Sequence, residues 1–180
     1  YTWADAMALD LTYNTQSAEG LVTTTVNGDT VKSTHRGICP DGWHVPTGSW
    51  YSANGEDDIQ GEYSALFGYD NMTRESDAGQ YLKSTTGWSS YSNNNRQISG
   101  NGKDRYGFSV LPAGVYDKIN GTYSFRNQGV IGILWSATER SATTANVQMF
   151  KNNSNAVSQT AYTKNDYYSL RCIKDTDTSN

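Results

Sequence analysis

The sequence predicts an α+β domain, on three observations. Helical periodicity is confined to the first half of the chain. From residue 105 onward, short β-type runs follow one another. Gly and Asn punctuate those runs at close spacing, which argues for antiparallel pairing. Two or three short helices should therefore precede a twisted antiparallel sheet with long loops.

Each element has its own local warrant. Thr2-Trp3-Ala4-Asp5 reads as a capping box, a hydroxyl followed three residues later by a carboxylate. Trp3, Ala6 and Met7 then share a helical face, which predicts a helix over 3–12. Around Asn27-Gly28, Val22, Thr24 and Val26 alternate before the turn, with Thr30 and Lys32 after it, so a hairpin is expected. Pro40 and Pro46 keep their segment extended, and Thr47 can cap a short helix. Ile59, Tyr63, Leu66 and Phe67 have helical spacing ended by Gly68, predicting a helix over 58–67. Asp77 is placed to cap a further turn through Tyr81 and Leu82, and 83–103 reads as loop. The runs YGFSVLPAGVY, GTYSF, IGILWSAT, ANVQMF, AVSQTAYT and YYSLRCI are the strands, separated at Asn120-Gly121, Gly129, Asn152-Asn153 and Asn165-Asp166.

Composition narrows the function classes. The chain has 180 residues, enough for one core, and only 36% of them are hydrophobic. Five Trp and thirteen Tyr make up part of that deficit. Charged residues are 18% and the net charge is −4, with no basic cluster. Nucleic acid is therefore not an expected partner. No apolar run reaches membrane-spanning length, so insertion by this domain is not expected. The chain starts at Tyr1 without Met or a signal peptide, which reads as a processed protein or an excised domain. Cys39 and Cys172 lack the spacing and His partners of a zinc set. They are either a structural disulfide of an oxidising compartment or two buried thiols in a reducing one. A bond would close a loop of about 130 residues, worth roughly 4–5 kcal/mol by chain entropy.

Six blocks stand in order along the chain: YTWADAM at 1–7, GICPDGWHVPT at 37–47, YLKSTTGW at 81–88, DRYGFSVLPAG at 104–114, GILWSATE at 132–139 and SLRCIKD at 169–175. Together they resemble the major paralogous domain of Fibrobacter succinogenes, which occurs widely in secreted and surface proteins of Bacteroidetes and related bacteria. The resemblance implies a C-type-lectin-like fold over 1–175, with 176–180 a disordered tail. It also implies that a Cys39–Cys172 bond ties an early element to the last strand. An upstream segment common in the family is missing here, and 13–36 looks long for it. The EPN, QPD and WND motifs of calcium-dependent sugar binding are missing too.

Catalytic and metal readings find little support. His44 fits a tight turn better than a general base, and His35 reads as solvated. Trp43, Trp88 and Trp135 read as core, with Trp50 less settled between core and sugar platform. Glu56, Asp57 and Asp58 have the oxygen chemistry calcium prefers, but not an EF-hand spacing, and a helix N-terminus explains them equally well. Asp104 reads as a structural hydrogen-bond acceptor. Glu139 lacks an identifiable carboxylate partner for glycoside hydrolysis, and no Ser sits in a GxSxG elbow. The family's fold is shared by formylglycine-generating enzymes, whose cysteine chemistry would need the two thiols of the staple. No enzyme activity, cofactor or metal is expected, with calcium the one candidate lacking a specific motif.

The stretch 115–166 is rich in Tyr, Asn, Ser, Thr, Arg and Gln, the chemistry of adaptable recognition surfaces. Tyr116, Asp117, Tyr123, Arg126, Asn127, Val130, Ile131, Arg140, Asn146 and Gln148 are the expected ligand-binding residues. Their scatter between fixed blocks resembles the variable positions of diversity-generating retroelement targets. Val130, Ile131 and Ile133 form an apolar patch if exposed and a plain strand if buried. The expected function is a non-enzymatic recognition or adhesion module on a bacterial surface, pilus tip or secreted protein. Its partner is a protein or glycan on another cell or surface. The alternative is a structural module joining other subunits of a filament, and a hydrolase ranks below both.

Overall fold

A computed structural model of the chain describes residues 1–22, 24–26, 29–31, 35–48, 61–63 and 77–175. Within them the fold is mostly β, which overturns the expectation of an α+β, C-type-lectin-like domain. Strands are distributed over small antiparallel sheets, and the α-helices whose bounds are described are short: α1, Trp3–Ala6, and α2, Ala78–Leu82.

The helices are short for identifiable reasons. Thr2 caps α1 as a full capping box: its hydroxyl accepts from the Asp5 N–H, and the Asp5 carboxylate accepts from the Thr2 N–H. Ala8 then turns left-handed at φ 53° and ends the run. Asp10 starts a separate 3-10 turn, Leu11–Asn14, by accepting from the Thr12 N–H. The expected helix over 3–12 is thus two fragments. Asp77 precedes α2 but makes no side-chain cap. Of the helix expected over 58–67, only Glu62 and Tyr63 are described as helical; the rest lies outside the described residues. The same holds for the 176–180 tail, Trp50 and the acidic residues at 56–58.

The centre is a three-stranded sheet in the order Ser158–Thr163, Thr144–Lys151, Ile131–Ser141. Its inner strand pairs both ways, Val147 facing Trp135 on one side and Thr160 on the other. Two clusters cover its faces. Ile133, Trp135, Ala137, Ala145 and Val147 pack with Trp3, Met7 and Val45. Leu134 and Phe150 pack with Tyr63, Leu82, Trp88 and Val110. Burial on both faces explains why GILWSA shows no alternation. The Trp88 and Trp135 indoles are core as expected, but Trp43 is 39% exposed.

Among the described residues the remaining strands form four two-stranded sheets. We number them in chain order: β1 is Thr24–Val26, β2 Asp29–Val31, β3 Trp43–His44, β4 Tyr91–Asn93, β5 Arg96–Ile98, β6 Val115–Ile119, β7 Thr122–Arg126, β8 Ile131–Ser141, β9 Thr144–Lys151, β10 Ser158–Thr163 and β11 Ile173–Lys174. The β1–β2 hairpin brackets Asn27-Gly28, as the sequence predicts. The β4–β5 hairpin stands where a loop is expected; Asn94 and Asn95 both adopt positive φ and make its turn. Strand β11 pairs with β3, Ile173 opposite His44. Beside that ladder Cys39 and Cys172 are disulfide-bonded across a separation of 133 residues, with Cα atoms 5.9 Å apart.

Candidate functional site

The β6–β7 hairpin carries the most unusual surface of the molecule. Asn120 and Gly121, at φ 50° and 85°, supply the two left-handed positions that a tight hairpin turn needs. Tyr116 faces Phe125 across the ladder, and Lys118 faces Tyr123. Because side chains alternate between faces, these four residues share one side, and Asp117, Ser124, Val115 and Arg126 share the other. Tyr167 extends the first side: it and Tyr116 donate backbone N–H groups to each other's carbonyls at 3.1 and 3.4 Å.

The two sides of the hairpin differ in exposure. On the inner side Val115 is buried in the core at the base, Asp117 and Arg126 are 20% and 34% exposed, and Ile119 and Ser124 toward the tip are open to solvent. The aromatic side faces solvent: Phe125 is 81% exposed, Tyr167 38% and Tyr123 36%. The rings nevertheless order one another. Tyr116 lies 4.5 Å from Phe125 and stacks on Tyr123 at 5.5 Å, while Tyr167 stands edge-on to both tyrosines at 5.4 and 5.9 Å. Those separations fall in the favourable range for aromatic pairs. The Lys118 ammonium lies 5.7 Å from the Tyr123 ring centre. Beside the rings a groove of about 240 Å³ runs between Tyr1, Gly114, Phe125, Tyr167 and Ser169.

Charges occupy the inner side. Arg126 is bidentate to Asp117, its Nε donating at 3.0 Å and Nη2 reaching both carboxylate oxygens. Burial raises the Asp166 carboxyl above its ordinary value. The Tyr168 hydroxyl, donating to it at 3.2 Å, opposes that rise, and neighbouring Asp117 adds to it. The Tyr168 phenol is pushed up chiefly by burial.

The sequence-predicted binding residues divide. Tyr116, Asp117, Tyr123 and Arg126 come together on the hairpin, although Asp117 and Arg126 point away from the aromatic side. Asn127, at φ 59°, follows directly, and its carbonyl accepts from the Val130 and Ile131 N–H groups at 3.0 Å. Val130 is partly exposed on that turn, whereas Ile131 packs against the core and Ile133 is buried, so the VIGI run is a strand more than a patch. Arg140 is exposed near the far end of β8, about 30 Å along the strand from Ile131. Asn146 and Gln148 are each 2% exposed, and Gln148 donates to Gln159 at 3.1 Å. These two are interior packing and do not reach a ligand at the surface. Sequence reasoning missed Phe125, Lys118 and Tyr167. The signal was present in the in-phase alternation of Tyr116 and Lys118 with Tyr123 and Phe125 about Asn120-Gly121.

The catalytic candidates have structural partners. His44 sits between two carboxylates, Nδ1 to Asp175 at 2.5 Å and Nε2 to Glu62 at 2.9 Å. Glu62 also accepts from the Thr47 N–H at 3.1 Å, and the Thr47 hydroxyl accepts from the Glu62 N–H at 3.0 Å. Burial works to lower the His44 pKa, but the hydrogen bonds to Asp175 and Glu62 outweigh it and the net shift is upward. His35, expected to be solvated, is half-buried, with its ring Nε2 2.7 Å from the Met7 carbonyl. Glu139 accepts from the Lys164 ammonium at 2.7 Å and from the Ala18 N–H at 2.9 Å. That ammonium is fully buried and also donates to the carbonyls of Tyr13, Gln16 and Ala142. Asp104 accepts from the Ser109 N–H at 2.7 Å, a structural role as read from sequence.

Among the described residues no group of three or more His, Cys, Asp or Glu is arranged to hold a metal ion, and no helix is long and apolar enough to cross a membrane. Comparison with known proteins gives one result of consequence. The family model described as the Fibrobacter succinogenes major domain matches residues 1–174, so the chain belongs to that family. No curated protein and no solved structure matches it.

Proposed function

We propose that this member of the Fibrobacter succinogenes major domain family is an exported, non-enzymatic recognition module. It adheres to a protein or glycan on another surface through the aromatic side of the β6–β7 hairpin. One observation carries the reading: four mutually ordered rings, Tyr116, Tyr123, Phe125 and Tyr167, gather on one side of the hairpin, with Phe125 81% exposed. Ordered aromatic rings offer a large contact area at low conformational cost. The disulfide supports export, since such bonds persist in oxidising compartments. Diversification of the outward hairpin positions is compatible with this role; at the buried Asn146 and Gln148 it would disturb the core.

The test is binding of the labelled domain to a panel of fixed bacterial and epithelial cells, read by flow cytometry. The Tyr123→Ser/Phe125→Ser double variant should keep the wild-type melting temperature and lose binding. Binding unchanged in that variant sinks the reading. A second reading, a filament-joining module, draws on β7, which among the described residues pairs on one side only. Concentration-dependent polymerisation in size-exclusion chromatography would favour it instead.

A further inference from the structure

Resting on that reading, we infer that the hairpin's ligand is a carboxylated sugar ring of a uronic-acid polysaccharide. Its ring face would stack on Phe125 and its carboxylate would pair with Lys118.

The charge distribution carries the first part of the argument. Alternation along β6 and β7 leaves Lys118 as the single charged side chain on the aromatic side of the hairpin. Among the described residues it forms an ion pair with no carboxylate. The acidic groups nearby, Asp117 and Asp166, belong to the inward side, where Arg126 neutralises one of them. The whole chain carries a net charge of −4, so it repels a polyanion in general. The aromatic side of the hairpin, carrying Lys118 and no carboxylate, departs from that balance.

Size and shape carry the second part. The groove of about 240 Å³ beside the rings is open on one side and admits a six-membered sugar ring laid against Phe125. A uronate presents such a compact ring with one carboxylate at its rim. The C–H bonds on a pyranose face carry partial positive charge and match the negative face of an aromatic ring. Phe125, 81% exposed and flanked by Tyr116 alone among the ring pairs, has an open face for such a contact. Tyr1, Tyr167 and Ser169 line the groove and supply hydroxyl-bearing side chains suited to sugar hydroxyls.

The experiment is affinity electrophoresis of the full chain in native gels containing polygalacturonate, alginate or neutral dextran. Retardation is expected in one or both acidic gels and not in dextran, and it should weaken as salt is added. Lys118→Gln should reduce the affinity about tenfold or more, Lys118→Arg should retain most of it, and Phe125→Ala should abolish it. Equal retardation in dextran overturns the inference, as does retardation unaffected by Lys118→Gln. No retardation in any gel also overturns it. In that last case, Phe125-dependent adhesion to cells would leave the recognition reading standing with a protein ligand. Loss of both would remove the two together.

Discussion

At the scale of single residues, buried charges act here as fasteners. His44 has a carboxylate at each ring nitrogen, an arrangement that favours the doubly protonated imidazolium. Its pKa is raised in the folded chain, so the folded state holds that proton more tightly than the unfolded one. The resulting stability is complete below the unfolded value of about 6.5 and is lost as pH rises through the higher folded value. Urea titrations at a series of pH values should therefore show the wild type weakening from mildly acidic to alkaline pH, with a flatter profile for His44→Gln. Glu139 works similarly on Lys164. Removing the carboxylate in Glu139→Ala leaves a fully buried ammonium with carbonyl partners only, a loss expected to cost about 3–5 kcal/mol in urea unfolding. Glu139→Gln, which keeps an acceptor, should cost less.

At the scale of elements, the hairpin hangs from one glycine. Gly114 sits at φ 75°, and a Cβ placed there would lie 2.2 Å from the Arg126 carbonyl oxygen. Gly114→Ala should cost about 1–3 kcal/mol locally. Amide exchange should accelerate in Thr122–Arg126 while β8 and β9 stay protected. This is also the scale at which the sequence reads best. Asn120-Gly121 announces its hairpin because the left-handed turn positions demand those residue types. Asn94-Asn95 makes the same kind of turn, but the flanking Tyr-Ser-Asn and Arg-Gln-Ile residues are mostly exposed and lack any hydrophobic alternation. The β4–β5 hairpin was therefore hidden. Helix 3–12 was overread, because the left-handed turn at Ala8 leaves no mark in residue type. Phe125 and Tyr167 escaped for a related reason: alternation shows which side chains share a face, not which face meets water.

At the scale of the whole molecule, the assembly of strands was the least legible part. Six β-type runs suggested one sheet, yet among the described residues β8, β9 and β10 alone unite into a three-stranded one, since joining depends on contacts between residues far apart in the chain. The two cysteines were more informative. Their bond spans 133 residues, and its reduction or the Cys39→Ser/Cys172→Ser variant should lower stability by about 2–5 kcal/mol in thermal or urea melts. The hairpin joins the central sheet at its base, through Val115 in the core and the Gly114–Gly132 bridge, while residues 118, 123 and 125 lie further out toward the tip. That arrangement makes the tip an exchangeable cartridge. A library randomised at 118, 123 and 125 should yield many different specificities on one unaltered chassis, and could be selected as a compact alternative to antibody fragments.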